Sequence, residues 1–268
     1  MISGFGDEIS TDIAFMMDGL QAAGVRNFDF RSTANINVVD LEEWQVEKLS
    51  REIGNRGFRI TAVSTPIGKI STEDDFEFDL GRLDRAIKAA RIFKTKFIRV
   101  FSYYPPEGVP QTDVREEVLN RMLELTNRAA EADMILLHEN EKNIYGDNAL
   151  RCLDVLQTIN SPHLRAVFDF ANFVEVGEDP WTAWHSLKTF VRYFHIKDCL
   201  AETGEIVPAG YGDGMIEHIL RDFKESGGKA ILSLEPHLQS AGQFQGYSGP
   251  ELFQQAANAL REVLMRVG

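Results

Sequence analysis

The 268 residues read as a (β/α)8 barrel of the TIM type, one α/β domain spanning 1–268. Three observations lead there. Short apolar runs alternate with amphipathic helical stretches along the chain, as parallel strands joined by right-handed crossovers require. Eight such runs occur, at about 33 residues per unit, which is the repeat of a (β/α)8 barrel. No Pro/Gly/Ser linker or low-complexity stretch interrupts the rhythm.

The first run, ISGFG (2–6), is followed by DEIS rather than by the glycine-rich phosphate loop of a doubly wound open sheet, the rival architecture. A helical pattern over TDIAFMMDGLQAAG comes next, with Ser10 expected as its N-cap. VRNFDF (25–30) precedes LEEWQVEKLSREIGNRG, for which Asp40 is the expected N-cap. FRITAVS (58–64) leads into RLDRAIKAARIF, and KFIRVFS (96–102) into VREEVLNRMLELTNRAAE, both with apolar residues at helical spacing. The last four runs are MILLHE (134–139), RAVFDF (165–170), VRYFHI (191–196) and AILSLE (230–235). ELFQQAANALREVLMRV closes the chain as a helix. Gly24, Gly57 and Gly228 stand where helical patterns end just before a strand, the position of a helix C-cap.

Composition narrows the function. Forty-one acidic residues against 28 basic ones leave a net charge of −13, which repels nucleic acid and anionic membranes. No apolar stretch approaches the roughly 20 residues of a membrane span. MISGFGDEIS has neither the basic nor the apolar segment of a secretory signal. Cys152 and Cys199 form no disulfide framework and no CxxC pair, which suits a reducing cytoplasm. A small polar substrate in a cytoplasmic protein is the expectation, with neither nucleic acid nor membrane as partner.

Chemistry in such barrels is supplied by the C-terminal ends of strands. Here Glu139 ends MILLHE, Asp169 lies in RAVFDF, His195 ends VRYFHI and Glu235 ends AILSLE, on strands five to eight in succession. Side chains alternate faces along a strand. Asp169 is bracketed by Phe168 and Phe170, His195 by Phe194 and Ile196, and Glu235 follows Leu234. If these apolar groups pack against the outer helices, the polar residues face the lumen. Glu139 fits less cleanly, between His138 and Asn140. Carboxylates that close would repel, and burial would raise their pKa values. A divalent cation resolves both, and three carboxylates with one imidazole suit manganese first, with magnesium, cobalt or zinc as alternatives. Any one of the four alone reads better as a loop cap or the partner of a nearby Lys or Arg. The quartet reads as a metal site.

Other residues are candidates with two readings each. Lys69, in STPIGKI, is a solvated loop lysine or a pocket lysine at the barrel mouth. Lys197 shares parity with His195 and so points toward substrate, while Asp198 orients a loop or a neighbouring ligand. His237 is a substrate contact or acid/base, or else a loop histidine. Glu8 sits on the pocket side of strand one, or belongs to the acidic start of a helix. Arg99, between Ile98 and Val100, faces the lumen, where Asp29 is its expected partner. Trp181 and Trp184 read as packing, and Tyr103 and Tyr104 as stacking surfaces for a sugar face.

The residues in LLHEN, VFDFAN, FHIKD, PAGYGDG and LSLEPH resemble the xylose isomerase-like TIM-barrel superfamily, in particular its sugar phosphate isomerase/epimerase branch. The resemblance covers essentially the whole chain. It implies that Glu139, Asp169, His195 and Glu235 bind one divalent metal and that Glu139 and Glu235 also form an acid/base pair. The branch contains ketose 3-epimerases, hydroxypyruvate isomerases, inosose and dehydroshikimate dehydratases, and enzymes that cleave 3-keto-glycosides. It also implies a homo-oligomer, a dimer or tetramer. Two departures stand out. Asn172 occupies the place of a substrate-binding histidine of the epimerases, and Ala201 that of an arginine. Endonuclease IV shares the fold, but six histidines do not build its three-metal centre. The leading expectation is a metal-dependent isomerase or epimerase acting on a keto sugar or polyol through an enediolate, with Asn172 among the substrate contacts. A lyase using the same proton abstraction is second, and a non-catalytic sugar-binding barrel third.

Overall fold

The computed structural model describes residues 1–238 and 248–268. Among them, eight parallel strands form one sheet: β1 (Ile2–Gly4), β2 (Asn27–Phe30), β3 (Arg59–Ser64), β4 (Phe97–Val100), β5 (Ile135–Glu139), β6 (Leu164–Asp169), β7 (Val191–Ile196) and β8 (Ile231–Leu234). From β2 to β8 each strand pairs with the next in chain order, and β8 returns to pair with β1. Between β1 and β2 a single bridge, Phe5 to Asp29, brings the edges together. The result is the expected TIM barrel.

Helices fill the connections: α1 (Ile13–Ala22), α2 (Glu43–Asn55), α3 (Phe76–Phe93), α4 (Arg115–Glu131), α5 (Ala149–Ile159), α6 (Phe170–Glu175), α7 (Pro180–Leu187), α8 (Ile216–Glu225) and α9 (Gly249–Val267). None among the described residues is long and apolar enough to cross a membrane. Their apolar faces pack on the outward residues of the strands, so the main core is a shell around the barrel that includes Phe28, Val63, Ile98, Leu136, Phe168, Phe194 and Leu234. Inside the barrel lies a second, small cluster of Ala62, Leu137, Val167 and Tyr193. Phe168 and Phe194 meet Trp184 of α7 at ring separations of 5.9 and 5.8 Å. Burying each such ring is worth about 1.5–3 kcal/mol, and it turns Asp169 and His195, one step along the pleat, into the lumen. Trp184 is therefore packing, and Trp181 lies half-buried against His185 and His218.

Several local expectations are corrected. The N-cap of α1 is Asp12, whose Oδ1 accepts from Ala14 N and Phe15 N at 2.9 and 3.1 Å. Ser10 instead accepts from Asp12 N, two residues too early. Asp40 ends a short 3-10 turn, and the N-cap of α2 is Glu42, whose N–H donates to Gln45 Oε1 at 2.8 Å. At the end of α8 the left-handed residue is Gly227 (φ 74°). Gly228 is needed for a different reason, since a Cβ there would lie 2.2 Å from the Phe223 ring. Phe170 opens α6, which leaves Asp169 as the last residue of β6. Most other strands start or stop one or two residues inside the apolar runs.

Candidate functional site

Glu139, Asp169, His195 and Glu235 converge in the lumen at the C-terminal ends of β5 to β8, all buried, with one potential ligand atom from each within 4.8 Å of the others. His195 Nδ1 lies 2.8 Å from Glu139 Oε1 and 3.0 Å from Glu235 Oε2. Each glutamate gives its remaining oxygen to an arginine. Arg99 Nη1 donates to Glu139 Oε2 and Arg31 Nη1 to Glu235 Oε1, both at 2.7 Å. Both guanidiniums approach the Phe5 ring, at 4.7 Å for Arg31 and 5.9 Å for Arg99, and His195 meets the same ring edge-on at 5.1 Å.

Asp169 is held from the side. Its Oδ1 accepts from Asn172 N at 2.9 Å, capping α6. Asn140 clamps the Asp169 backbone by donating to its carbonyl and accepting from its N–H, both at 3.0 Å. Asn172 donates to the Asn140 carbonyl at 2.8 Å, and its Oδ1 accepts from Lys197 Nζ at 2.6 Å. The same ammonium stands 3.3 Å from Asp169 Oδ2. Asn172 is thus inside the site, with its amide engaged in holding Lys197.

Charge explains the titration of this cluster. Burial opposes ionisation of Glu139, yet His195 and Arg99 bring its pKa down to about 2. Burial likewise opposes ionisation of Glu235, and His195 and His237 hold it well below the usual carboxylate range. Burial raises Asp169 to about 7, with Lys197 pulling against it. Burial should lower His195, but Glu139 and Glu235 outweigh it and raise it to about 10. Three carboxylates thus share one buried space with Arg99, Arg31, Lys197 and the proton on His195, a proton that a divalent cation would replace. Asp169 Oδ2 and Glu235 Oε2 are both buried and accept no well-formed hydrogen bond among the described residues, with only the ionic approach of Lys197 at 3.3 Å and His195 at 3.0 Å. Ligand type, mutual distance and the unfilled hydrogen-bonding capacity of these two oxygens all fit a divalent cation bound by the four residues.

A second group, Glu8, Glu235 and His237, also gathers within 4.8 Å, but a guanidinium already serves it. Arg31 reaches Asp7 at 2.8 Å and Glu8 at 3.1 Å as well as Glu235. Glu8 is fully buried and also accepts from Ser248 Oγ at 3.0 Å, so it is no exposed helix decoration. His237 Nε2 lies 3.2 Å from Glu8 Oε1 and 3.5 Å from Glu235 Oε1. Burial would lower it, but Glu8 and Glu235 raise it to about 9.

Lys69 reaches the mouth from the loop after β3, pairing with Glu141 Oε2 at 2.9 Å above the Phe101 ring. Asp198 shapes the PAGYGDG loop by accepting from the N–H groups of Gly210, Gly212 and Gly214 at 2.8, 3.0 and 2.9 Å. Two expectations fail. Arg99 pairs with Glu139, not with Asp29, whose Oδ1 is taken by the hydroxyls of Ser3, Thr61 and Tyr193 deeper in the lumen. Tyr103 is fully buried, turned under the loop by a left-handed backbone (φ 65°) and set against Phe76 and Arg121, so no sugar can stack on it. Tyr104 is half-buried, bridged to Ser71. Sequence reasoning missed Arg31, Asp7, Asn140, Glu141 and Phe5. Arg31 carried the same signal as the acids, a charge directly after an apolar strand.

The model of the xylose isomerase-like TIM barrel family matches residues 17–263, and the chain belongs to that family. A 3-dehydroshikimate dehydratase of Bacillus anthracis is 26% identical over 157 residues, a match spanning 58% of this chain and 56% of that protein. Among solved structures, the IolI protein with a bound zinc atom superposes with a TM-score of 0.80 at 13% identity, covering 100% of this chain and 99% of its own. A D-tagatose 3-epimerase-like protein gives 0.79 at 15% identity, covering 99% and 97%. These two establish likeness of fold.

Proposed function

We propose that this barrel is a metal-dependent isomerase or epimerase for a keto sugar or related polyol, removing and returning a proton α to a carbonyl. The matched setting of Glu139 and Glu235 carries the reading: each is clamped by an arginine through one oxygen and offers the other to the space around His195. A proton α to a carbonyl is weakly acidic, so its removal needs a base in place and stabilisation of the oxygen on which charge develops. Two ionised carboxylates facing one space supply the base and, after proton transfer, the acid. His195, with Arg99 beside Glu139 and His237 beside Glu235, keeps those carboxylates ionised, and Arg99 and Arg31 prevent them from turning away. Bound by Glu139, Asp169, His195 and Glu235, a divalent cation (manganese first) would supply the positive charge that the developing oxyanion needs. Lys197 and His237 are positioned to hold substrate oxygens, with Lys69 and Glu8 behind them and Asn172 fixing Lys197.

Incubation of the manganese-loaded protein with ketoses in D2O tests this. Deuterium at the α-carbon of recovered sugar is the expected result; a ketose that the protein converts without deuterium entering would contradict it.

A second reading, a lyase, has its own support in the dehydratase relative. Asn172 and Ala201 also stand where the epimerases keep a histidine and an arginine. In that reading the proton is removed in the same way and His237 protonates a departing β-hydroxyl. Loss of water with an ultraviolet enone signal would mark it.

A further inference from the structure

We infer that the site takes an uncharged substrate and excludes phosphorylated or carboxylated ones; this rests on reading the barrel mouth as the substrate site. An anionic substrate needs a cation that is free to meet it. The segments joining each strand to the helix after it (residues 5–12, 31–42, 65–75, 101–114, 140–148, 170–179, 197–215 and 235–248) contain twenty Asp and Glu against four Lys and Arg. Those four are Arg31, Lys69, Lys142 and Lys197, to which the lumen adds Arg99 and the loop after β8 adds His237.

Every one of these cations already has a carboxylate. Arg31 meets Glu235 at 2.7 Å, Arg99 meets Glu139 at 2.7 Å, and Lys69 meets Glu141 at 2.9 Å. Lys142 stands 3.5 Å from Glu175, Lys197 3.3 Å from Asp169, and His237 3.2 Å from Glu8. Among the described residues no cation at the mouth is left without such a partner. Residues 239–247, QSAGQFQGY, contain no Lys, Arg or His, so they bring no further one. The surrounding loops set up a negative field, which draws cations in and repels an approaching anion. Hydroxyl and keto oxygens, by contrast, can bind to the engaged ammonium and guanidinium groups without displacing their carboxylates. The carboxylate of 3-dehydroshikimate, the compound in the dehydratase relative's name, would find no free side-chain counter-charge here and would have to compete with the keto oxygen for the metal.

Two measurements on the manganese-loaded protein at low ionic strength decide the matter. In D2O, exchange at the α-carbon is expected with uncharged ketones and not with their phosphorylated or carboxylated counterparts; equal or faster exchange into a charged member overturns the inference. Calorimetric titration with fructose 6-phosphate and with sulfate should give no saturable heat up to about 10 mM. Saturable binding of either anion that is lost in Lys69→Ala or Lys197→Ala overturns it as well. Exchange into no ketone at all would remove the proton-abstraction reading and leave the anion titration to decide this one.

Discussion

Glu139 and Glu235 stand as counterparts on either side of His195, at 2.8 and 3.0 Å from the same Nδ1, and each is tied back by its own arginine at 2.7 Å. The arginines each engage one oxygen of their glutamate. They fix two oxygens and leave two directed inward. That division keeps the buried carboxylates aimed at one point, while His195 between them holds both ionised.

Arg99→Ala should be strongly destabilising, because it leaves the buried Glu139 carboxylate facing a cavity without its cation. Breaking one side of a buried pair costs about 3–5 kcal/mol. Urea unfolding should show that loss, and a shift below about 1 kcal/mol would mean the pair is not holding Glu139.

Asp198→Ala removes the acceptor for three glycine N–H groups in residues 210–214. Each donor left without a partner costs about 1–3 kcal/mol where water cannot reach it. Limited proteolysis should cut this loop faster than in wild type, and an unchanged cleavage pattern would remove Asp198 as its anchor. Gly212 and Gly214 tolerate no larger residue, since a Cβ there would lie 2.5 and 2.7 Å from Asp198 Oδ1.

Asp154 gives a pH dependence with a definite sign. Partial burial works against its charge, but Arg115 and the Tyr145 hydroxyl, at 2.7 and 2.6 Å, hold its pKa below the ordinary value. A lowered folded pKa adds stability that is complete above the unfolded value of about 4 and is lost as pH falls through the folded one. Asp154→Asn should therefore cost about 1 kcal/mol at neutral pH, a figure kept small because Arg115 is exposed. The difference should vanish in acid. Melting temperatures from pH 7 to pH 2 check this; a gap that persists in acid would place the effect elsewhere.

Much of the fold and part of the site could be read from sequence, for reasons visible in single residues. His195 and Asp169 betrayed their direction because Phe194 and Phe168 flank them on the pleat and pack outward. Glu139 gave no such contrast, since His138 and Asn140 are themselves buried polar groups, Asn140 being spent on Asp169. The arginine clamps were out of reach. Arg31 and Glu235 are 204 residues apart and meet only because β8 returns to β1. Arg99 had several lumen carboxylates to choose from, and depth in the barrel, which parity does not report, set it against Glu139 rather than Asp29. Tyr103 was misread because nothing in SYYPP announces a left-handed tyrosine. Ser10 and Asp12 are both good caps, and only the path of the chain out of β1 chooses between them.

The proposed chemistry requires above all one divalent ion held by Glu139, Asp169, His195 and Glu235. Manganese titration by calorimetry, with metal analysis of the dialysed protein, tests this on wild type, Glu139→Gln and His195→Ala, each first shown to be folded by circular dichroism. One ion per chain in wild type and at least about a hundredfold weaker binding in both variants is the expected result, equivalent to about 2.7 kcal/mol. Unchanged metal content and affinity in both variants would contradict it.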